Sequence, residues 1–259
     1  MAMVEQINGA TPMGGEAADH YDGQDLEALA DIPNYQQWIA DSFLPRVRGR
    51  VLEVGAGIGT MARRYAHAAD EAVLLEPARN LIAKLRENTR EIPSARPVDA
   101  LLSDVVGKRH AGCDFSRGSF DVVILINVLE HVDDDVGMLR TLHDLLRPGG
   151  TLVLFVPALA WLYGSLDRLV DHKRRYSFDS LGAVVRGAGF EVETHRYFDV
   201  LGILPWFVAG RVLRQRSFNA DAARLYDRLA VPVGAFLEGI VEPPVGKNLL
   251  SIGRKTGAS

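Results

Sequence analysis

Apolar residues in this chain gather into short runs separated by segments of helical period. Residues 51–54, 72–75, 120–126 and 151–156 are dominated by Val, Ile, Leu, Phe and Ala, with little alternation. A strand buried on both faces reads this way, because neither face meets water, and central strands of parallel sheets are of this kind. A weaker strand candidate spans 95–102, and 190–197 and 249–254 read as the last two strands. Between the runs lie helical patterns at 61–69, 80–89, 133–146 and 180–188. The third is closed by Arg147, Pro148, Gly149 and Gly150, and the fourth by Gly189. Upstream, Leu26, Leu29, Ile32, Tyr35, Trp38 and Ile39 recur at helical spacing within 19–43, interrupted by Pro33. Residues 1–18 are small and polar with scattered glycine, which predicts a disordered tail.

Strand and helix alternate, which predicts an α/β fold: a Rossmann-like, doubly wound sheet of about seven strands with helices on both faces. Residues 19–259 are expected to form one domain. Ligands of such sheets bind outside the carboxyl ends of the strands. That geometry sets Gly55, Glu76, Asp104, Asn127 and Pro157 along one rim. Two insertions leave from it, 157–177 and 198–247, both rich in aromatic and apolar side chains. With 19–43 they are expected to form a helical, aromatic cap over the rim.

Composition narrows the function classes. The chain has 259 residues, 47% hydrophobic and 24% charged, with a net charge of −4. A dedicated nucleic-acid binder shows a basic excess, so no nucleic-acid partner is expected. A single cysteine, Cys113, excludes an internal disulfide and points to a reducing, cytoplasmic setting. No signal peptide is expected. The apolar stretch 200–212 is too short to span a bilayer.

The candidate chemistry begins at Val51-Leu-Glu-Val-Gly-Ala-Gly-Ile-Gly-Thr60. A strand ends in Gly55, Gly57 and Gly59, and a helical pattern follows. Glycines there let backbone turn tightly and let a ligand lie against it. The dinucleotide fingerprint needs a third glycine at its sixth position, where this chain has Thr60. Glu76 ends the second strand about 20 residues beyond the loop, where an acid can accept both ribose hydroxyls.

The pattern Glu-x-Gly-x-Gly-x-Gly from Glu53 to Gly59 resembles motif I of the class I S-adenosylmethionine (SAM) methyltransferases. Phe120-Asp-Val-Val-Ile-Leu-Ile-Asn-Val-Leu-Glu-His131 resembles their fourth and post-fourth motifs, and Arg147-Pro-Gly-Gly150 the turn before their fifth strand. The resemblance implies a last strand antiparallel to the others. It implies S-adenosyl-L-methionine as cofactor and S-adenosyl-L-homocysteine as product. Glu53, Gly55, Ala56, Gly57, Gly59, Glu76, Pro77, Asn127 and Val128 would be cofactor residues, with Asp104 or Val105 at the adenine. Further segments are similar to a bacterial group acting on small molecules. They include Leu162-Tyr-Gly164, His172-Lys-Arg-Arg-Tyr176, Arg196-Tyr-Phe198 and Pro244-Val-Gly-Lys-Asn-Leu249. The chain departs from that group at Asp171, where glycine is usual, and at Asp199, where asparagine is usual.

The acceptor side keeps several readings open. The segment from His172 to Tyr176 fits an anion contact through Arg175, a general base at His172 assisted by Tyr176, or a solvated basic face paired with Asp167 and Asp171. His131 fits a structural residue at a helix start or a group facing the acceptor. Tyr21, Tyr35 and Trp38 fit core packing or closure over the sulfonium by cation–π attraction. Tyr163, Phe198 and Trp206 are further candidates for the acceptor wall. No metal is expected, because a helix N-terminus accounts for Asp133, Asp134 and Asp135.

Rival chemistries lack their signatures. No tyrosine has lysine four residues on, Cys113 is not preceded by proline, and Asn127-Val-Leu-Glu stands where a DNA amino-methyltransferase carries Asn/Asp-Pro-Pro-Tyr. The expected function is methyl transfer to an O, N or C nucleophile of a small organic acceptor, of natural-product or aromatic type. The alternatives are a peripheral-membrane methyltransferase acting on a lipid-linked or quinone-type acceptor, and a non-enzymatic SAM-binding protein.

Overall fold

A computed structural model describes residues 31–257, and Tyr21 and the 1–18 segment lie outside the described residues. The chain opens on α1 (Pro33–Phe43). The alternation read from the pattern then follows: β1 (Arg50–Val54), α2 (Ala62–Tyr65), β2 (Glu71–Leu75), α3 (Arg79–Thr89), β3 (Ala95–Val98) and α4 (Leu102–Val105). A two-residue hairpin, β4 (Arg109–His110) and β5 (Cys113–Asp114), precedes β6 (Phe120–Ile126). Next come α5 (Asp135–Leu145), β7 (Leu146–Pro157), α6 (Ser165–Leu169), α7 (Phe178–Gly187) and β8 (Phe190–Phe198). The chain closes with α8 (Ile203–Phe207), α9 (Ala220–Ile240) and β9 (Asn248–Lys255).

The seven-stranded sheet has the order β3-β2-β1-β6-β7-β9-β8. β1 pairs in parallel with β2 and β6, and β6 with β7. β9, the last strand of the chain, inserts antiparallel between β7 and β8. Apolar side chains from both faces are buried, which is why the runs do not alternate. One layer sets Leu52, Val73, Val123, Leu125 and Leu154 against Leu139, Leu142 and Leu181 of α5 and α7. The other sets Val51, Leu74, Ile124 and Phe155 against Ile39, Phe43, Tyr65 and Leu85 of α1, α2 and α3.

Two readings need correction. The third strand ends at Val98, not at 102, so the residue leaving it is Asp99. Asp104 stands instead on α4, exposed, and Val105 is sealed in the core. The 198–247 insertion, expected as part of a helical, aromatic cap, carries α8 and α9, the latter a helix of 21 residues with Pro232 inside it.

Candidate active site

The strand order reverses between β1 and β6, and the glycine loop lies at that switch point. Gly55, Gly57 and Gly59 all adopt left-handed backbone, with φ of 72°, 56° and 83°. A Cβ on Gly55 would stand 2.7 Å from Val128 Cγ2, and one on Gly59 would stand 2.9 Å from Leu85 Cδ1. Close approach on one side and positive φ together require glycine here. The Gly55 and Ala56 N–H groups donate to the Leu75 carbonyl at 2.9 and 3.1 Å, which ties the loop to the end of β2.

Glu76 completes that tie. Its carboxylate accepts from Gly57 N–H at 2.8 Å and from Ala78 N–H at 2.9 Å, with Pro77 half-buried between them. Burial pushes its carboxyl above the usual range, against the pull of those two N–H groups. Each oxygen keeps a lone pair for a further donor. Glu53 sits beneath the loop, 2% exposed, and accepts from the Tyr65 hydroxyl at 2.8 Å. Burial raises it to about 8, opposed by that hydrogen bond and reinforced by nearby Glu76. Asn127 follows β6 with φ of 54°, exposed, its N–H donating to the Phe155 carbonyl at 2.8 Å. Asparagine tolerates that backbone better than most residues. Positive-φ glycines, an exposed asparagine and an acid with spare acceptors fit a nucleoside-bearing cofactor at this rim.

The cap segments meet one another around buried charge. Asp167 on α6 is fully buried. It accepts from Gly164 N–H at 2.9 Å and from Arg175 Nε at 2.7 Å, and its Oδ1 lies 3.1 Å from His172 Nδ1. Burial alone would raise Asp167, but the His172 hydrogen bond and the Arg175 charge hold its carboxyl below the usual range. Arg175 also donates to the Ala158 carbonyl at 2.8 Å and lies 5.1 Å above the Trp206 ring. Its guanidinium is therefore buried and paired within the protein, not part of a solvated basic face. Tyr176 is 2% exposed and donates to Asp135 at 2.9 Å. Burial, then the Asp135 charge, raises its phenol far above the usual range. The Tyr163 hydroxyl donates to the His172 carbonyl at 2.7 Å.

A second polar knot joins α1 to α9. Asp227 accepts from Tyr35 N–H at 2.7 Å and Asn34 N–H at 3.2 Å. The Tyr35 hydroxyl donates to Asn248 at 3.0 Å, and Trp38 packs on Phe198 with centroids 4.0 Å apart. Lys247 pairs with Asp199 at 2.7 Å and lies over the rings of Tyr35 and Trp206. Tyr226 also bonds to Asp199, and Glu238 receives the N–H groups of Asp199 and Val200. Tyr35 and Trp38 thus pack on the fully buried Phe198. Asp171 and Asp199, the two departures noted in the sequence, have φ of 57° and 65°. Glycine and asparagine are favoured there because they enter the left-handed region most easily.

His131 and His172 face each other edge to face, 5.0 Å apart. Burial, and next the neighbouring His172, lower His131 to about 4, so its ring is neutral near pH 7. Glu130, which directly precedes His131 and has Oε1 3.5 Å from His172 Nε2, is fully buried and raised by burial to about 7. Sequence reasoning missed Glu130 and Lys247, which read there as ordinary surface charges. It named Asp167 only as the partner of a solvated basic face, and Asp199 only as a departure from the group pattern.

A family model described as a methyltransferase domain matches residues 25–195. The chain belongs to this methyltransferase family. With its fold, it is a class I SAM-dependent methyltransferase. The methyltransferase is 32% identical over 185 residues to a ubiquinone biosynthesis O-methyltransferase of Xanthomonas oryzae pv. oryzae, covering 66% of this chain and 73% of the relative. Its fold is similar to that of a SAM-dependent methyltransferase from Mesorhizobium loti, at 19% identity and a TM-score of 0.54, covering 83% of this chain and 94% of the other. It is also similar to a Haemonchus contortus phosphoethanolamine N-methyltransferase solved with SAM, at 16% identity and a TM-score of 0.53, covering 86% and 53%.

Proposed function

We propose that this methyltransferase moves a methyl group to a hydroxyl oxygen of a small aromatic acceptor held between the glycine-loop rim and the cap. The observation that carries the reading is the intact cofactor cradle: Glu76, 5% exposed, gripping Gly57 N–H beside three left-handed glycines at the switch point. The similarity to ubiquinone biosynthesis O-methyltransferases favours oxygen as the nucleophile.

The cofactor supplies a methyl group on a sulfonium, an electrophile strong enough to need no covalent help. Glu76 would take the ribose hydroxyls, Gly55 to Gly59 would lie against the nucleoside and methionine portions, and Asn127 and Val128 would close the opposite side. Asp99, at the end of β3, replaces Asp104 as the adenine-side residue. Glu53 acts from below by holding α2 through Tyr65. The remaining tasks are alignment, exclusion of water and removal of the hydroxyl proton. The groups near Asn127 suited to that proton are His131, His172 and Glu130. Arg175, Tyr176, Tyr35 and Trp38 serve by fixing the cap.

The test pairs SAM calorimetry with an acceptor screen that counts S-adenosylhomocysteine. Phenolic and catecholic acceptors are expected to give methyl ethers, and His172→Ala should cut turnover more than SAM affinity. Methylation confined to amines would overturn the oxygen assignment.

One observation favours delivery of the acceptor from a membrane surface. Leu225, Leu229, Val233, Phe236 and Ile240 form an exposed apolar stripe along α9, and Leu204, Val212 and Leu213 are exposed nearby among Arg211, Arg214 and Arg216. Basic and apolar groups together suit an anionic bilayer. Among the described residues no helix is long and apolar enough to cross a membrane. Co-sedimentation with anionic but not neutral vesicles, lost in Phe236→Glu, is the expected result. Equal recovery in the supernatant with both vesicle types would end this reading.

A further inference from the structure

Glu130 stands where a carboxylate is costly. Its side chain is wholly buried, and neither oxygen has a hydrogen-bond partner. Buried polar groups are satisfied in nearly all native proteins, so such an exception calls for a missing partner. Two imidazoles supply the surroundings. Glu130 and His131 lie on the 3-10 turn after β6 (Leu129–His131), while His172 comes from the insertion after β7. One potential ligand atom from each of the three lies within 4.8 Å of the others.

The imidazoles are oriented in a telling way. His131 Nδ1 lies 3.2 Å from the Asp171 carbonyl oxygen. A carbonyl only accepts, so Nδ1 carries the proton and the neutral ring keeps Nε2 as a bare lone pair. His172 Nδ1 lies 3.1 Å from Asp167 Oδ1, so that nitrogen faces the acid and Nε2 is turned toward Glu130. Its Nε2 is 3.5 Å from Glu130 Oε1. Arg175 in turn holds Asp167 at 2.7 Å. A carboxylate or carbonyl on one ring nitrogen, leaving the other free, is the support that metal-ligating histidines receive.

We propose that Glu130, His131 and His172 form a binding site for one divalent first-row transition-metal ion. Two imidazoles and one carboxylate make a donor set for zinc, iron, cobalt or manganese rather than calcium. Ligand atoms sharing such an ion stand about 3 Å apart. The Glu130–His172 pair is close to that spacing, and rotation of side chains brings in the third. The ion would partner the buried carboxylate and leave coordination positions for water or an acceptor oxygen. A hydroxyl bound there loses its proton at lower pH. That last role rests on the methyltransferase reading, whereas the site itself does not.

Metal binding to the full chain, stripped with chelator and free of SAM and acceptor, is therefore the test. Titration with Co2+ is expected to give one equivalent, with visible d–d absorption, and Zn2+ should displace it. His172→Ala, His131→Ala and Glu130→Gln should each weaken binding about tenfold or more, with circular dichroism unchanged. If Glu130→Gln does not fold, the two histidine variants decide alone. No saturable Co2+ binding, or an isotherm indifferent to both histidines, would overturn the site. Failure of SAM to bind would instead strike the functional reading and leave this result standing.

Discussion

The two walls of the candidate site are built from different materials. The glycine-loop wall is backbone: left-handed glycines, N–H groups and one acid, Glu76, that ties Gly57 to Ala78. The cap wall is side chain. Asp167, Arg175, Asp199 and Lys247 are charges drawn inside and matched in pairs, Asp167 with Arg175 eight residues on and Asp199 with Lys247 at the far end of the second insertion. A cradle of backbone tolerates few residue types and keeps its shape whatever is methylated. A wall of paired charges holds its shape only while both members of each pair are present. The difference predicts that damage to the cap shows first as lost stability, and damage to the loop as lost cofactor.

The largest effect should come from Asp167→Ala, which strands Arg175 and His172 without their acid. Breaking one partner of a buried pair costs about 3–5 kcal/mol. Urea unfolding should show the loss, and a change under about 1 kcal/mol would mean the cap is not held by this pair. Next is Gly57→Val on the other wall. A β-branched residue at φ of 56° distorts the loop that Glu76 grips. SAM affinity in calorimetry should fall more than about 100-fold, roughly 3 kcal/mol, with circular dichroism unchanged. Unaltered affinity would place the cofactor elsewhere.

Glu76→Ala should weaken SAM binding by about 1–3 kcal/mol through lost charge-assisted hydrogen bonds. The smallest effect is a change of slope. Glu53 is raised by burial to about 8, so its contribution to stability is full below its ordinary value of 4.5 and disappears as pH rises through about 8. Glu53→Gln removes the titration. Its melting temperature should therefore fall less than that of the native chain between those limits. Parallel curves would show Glu53 to be ionised throughout.

Much of the glycine wall was legible because local rules govern it. Gly55, Gly57 and Gly59 announce positive φ, and the spacing to Glu76 follows from the length of one helix and one strand. Asp104 was misplaced because β3 is short, and Arg96 and Pro97 blur its pattern. Asp167 was legible as a partner for the His172–Tyr176 segment because it lies eight residues before Arg175, but its burial was not, and nothing near Tyr176 in sequence reveals Asp135, 41 positions back, as its partner.

By itself the sequence determined the alternating elements, the parallel centre of the sheet and the loop at its switch point. Those depend on periodicity and on backbone conformations that only certain residues adopt. The tertiary structure alone decided what the charged residues of the cap do. Asp227 meets Tyr35 N–H across 192 positions, and His131 meets Asp171 across 40. Whether a carboxylate is solvated, paired or buried without a partner, as Glu130 is, depends on which distant segments fold over it. No local pattern of polar and apolar residues records that.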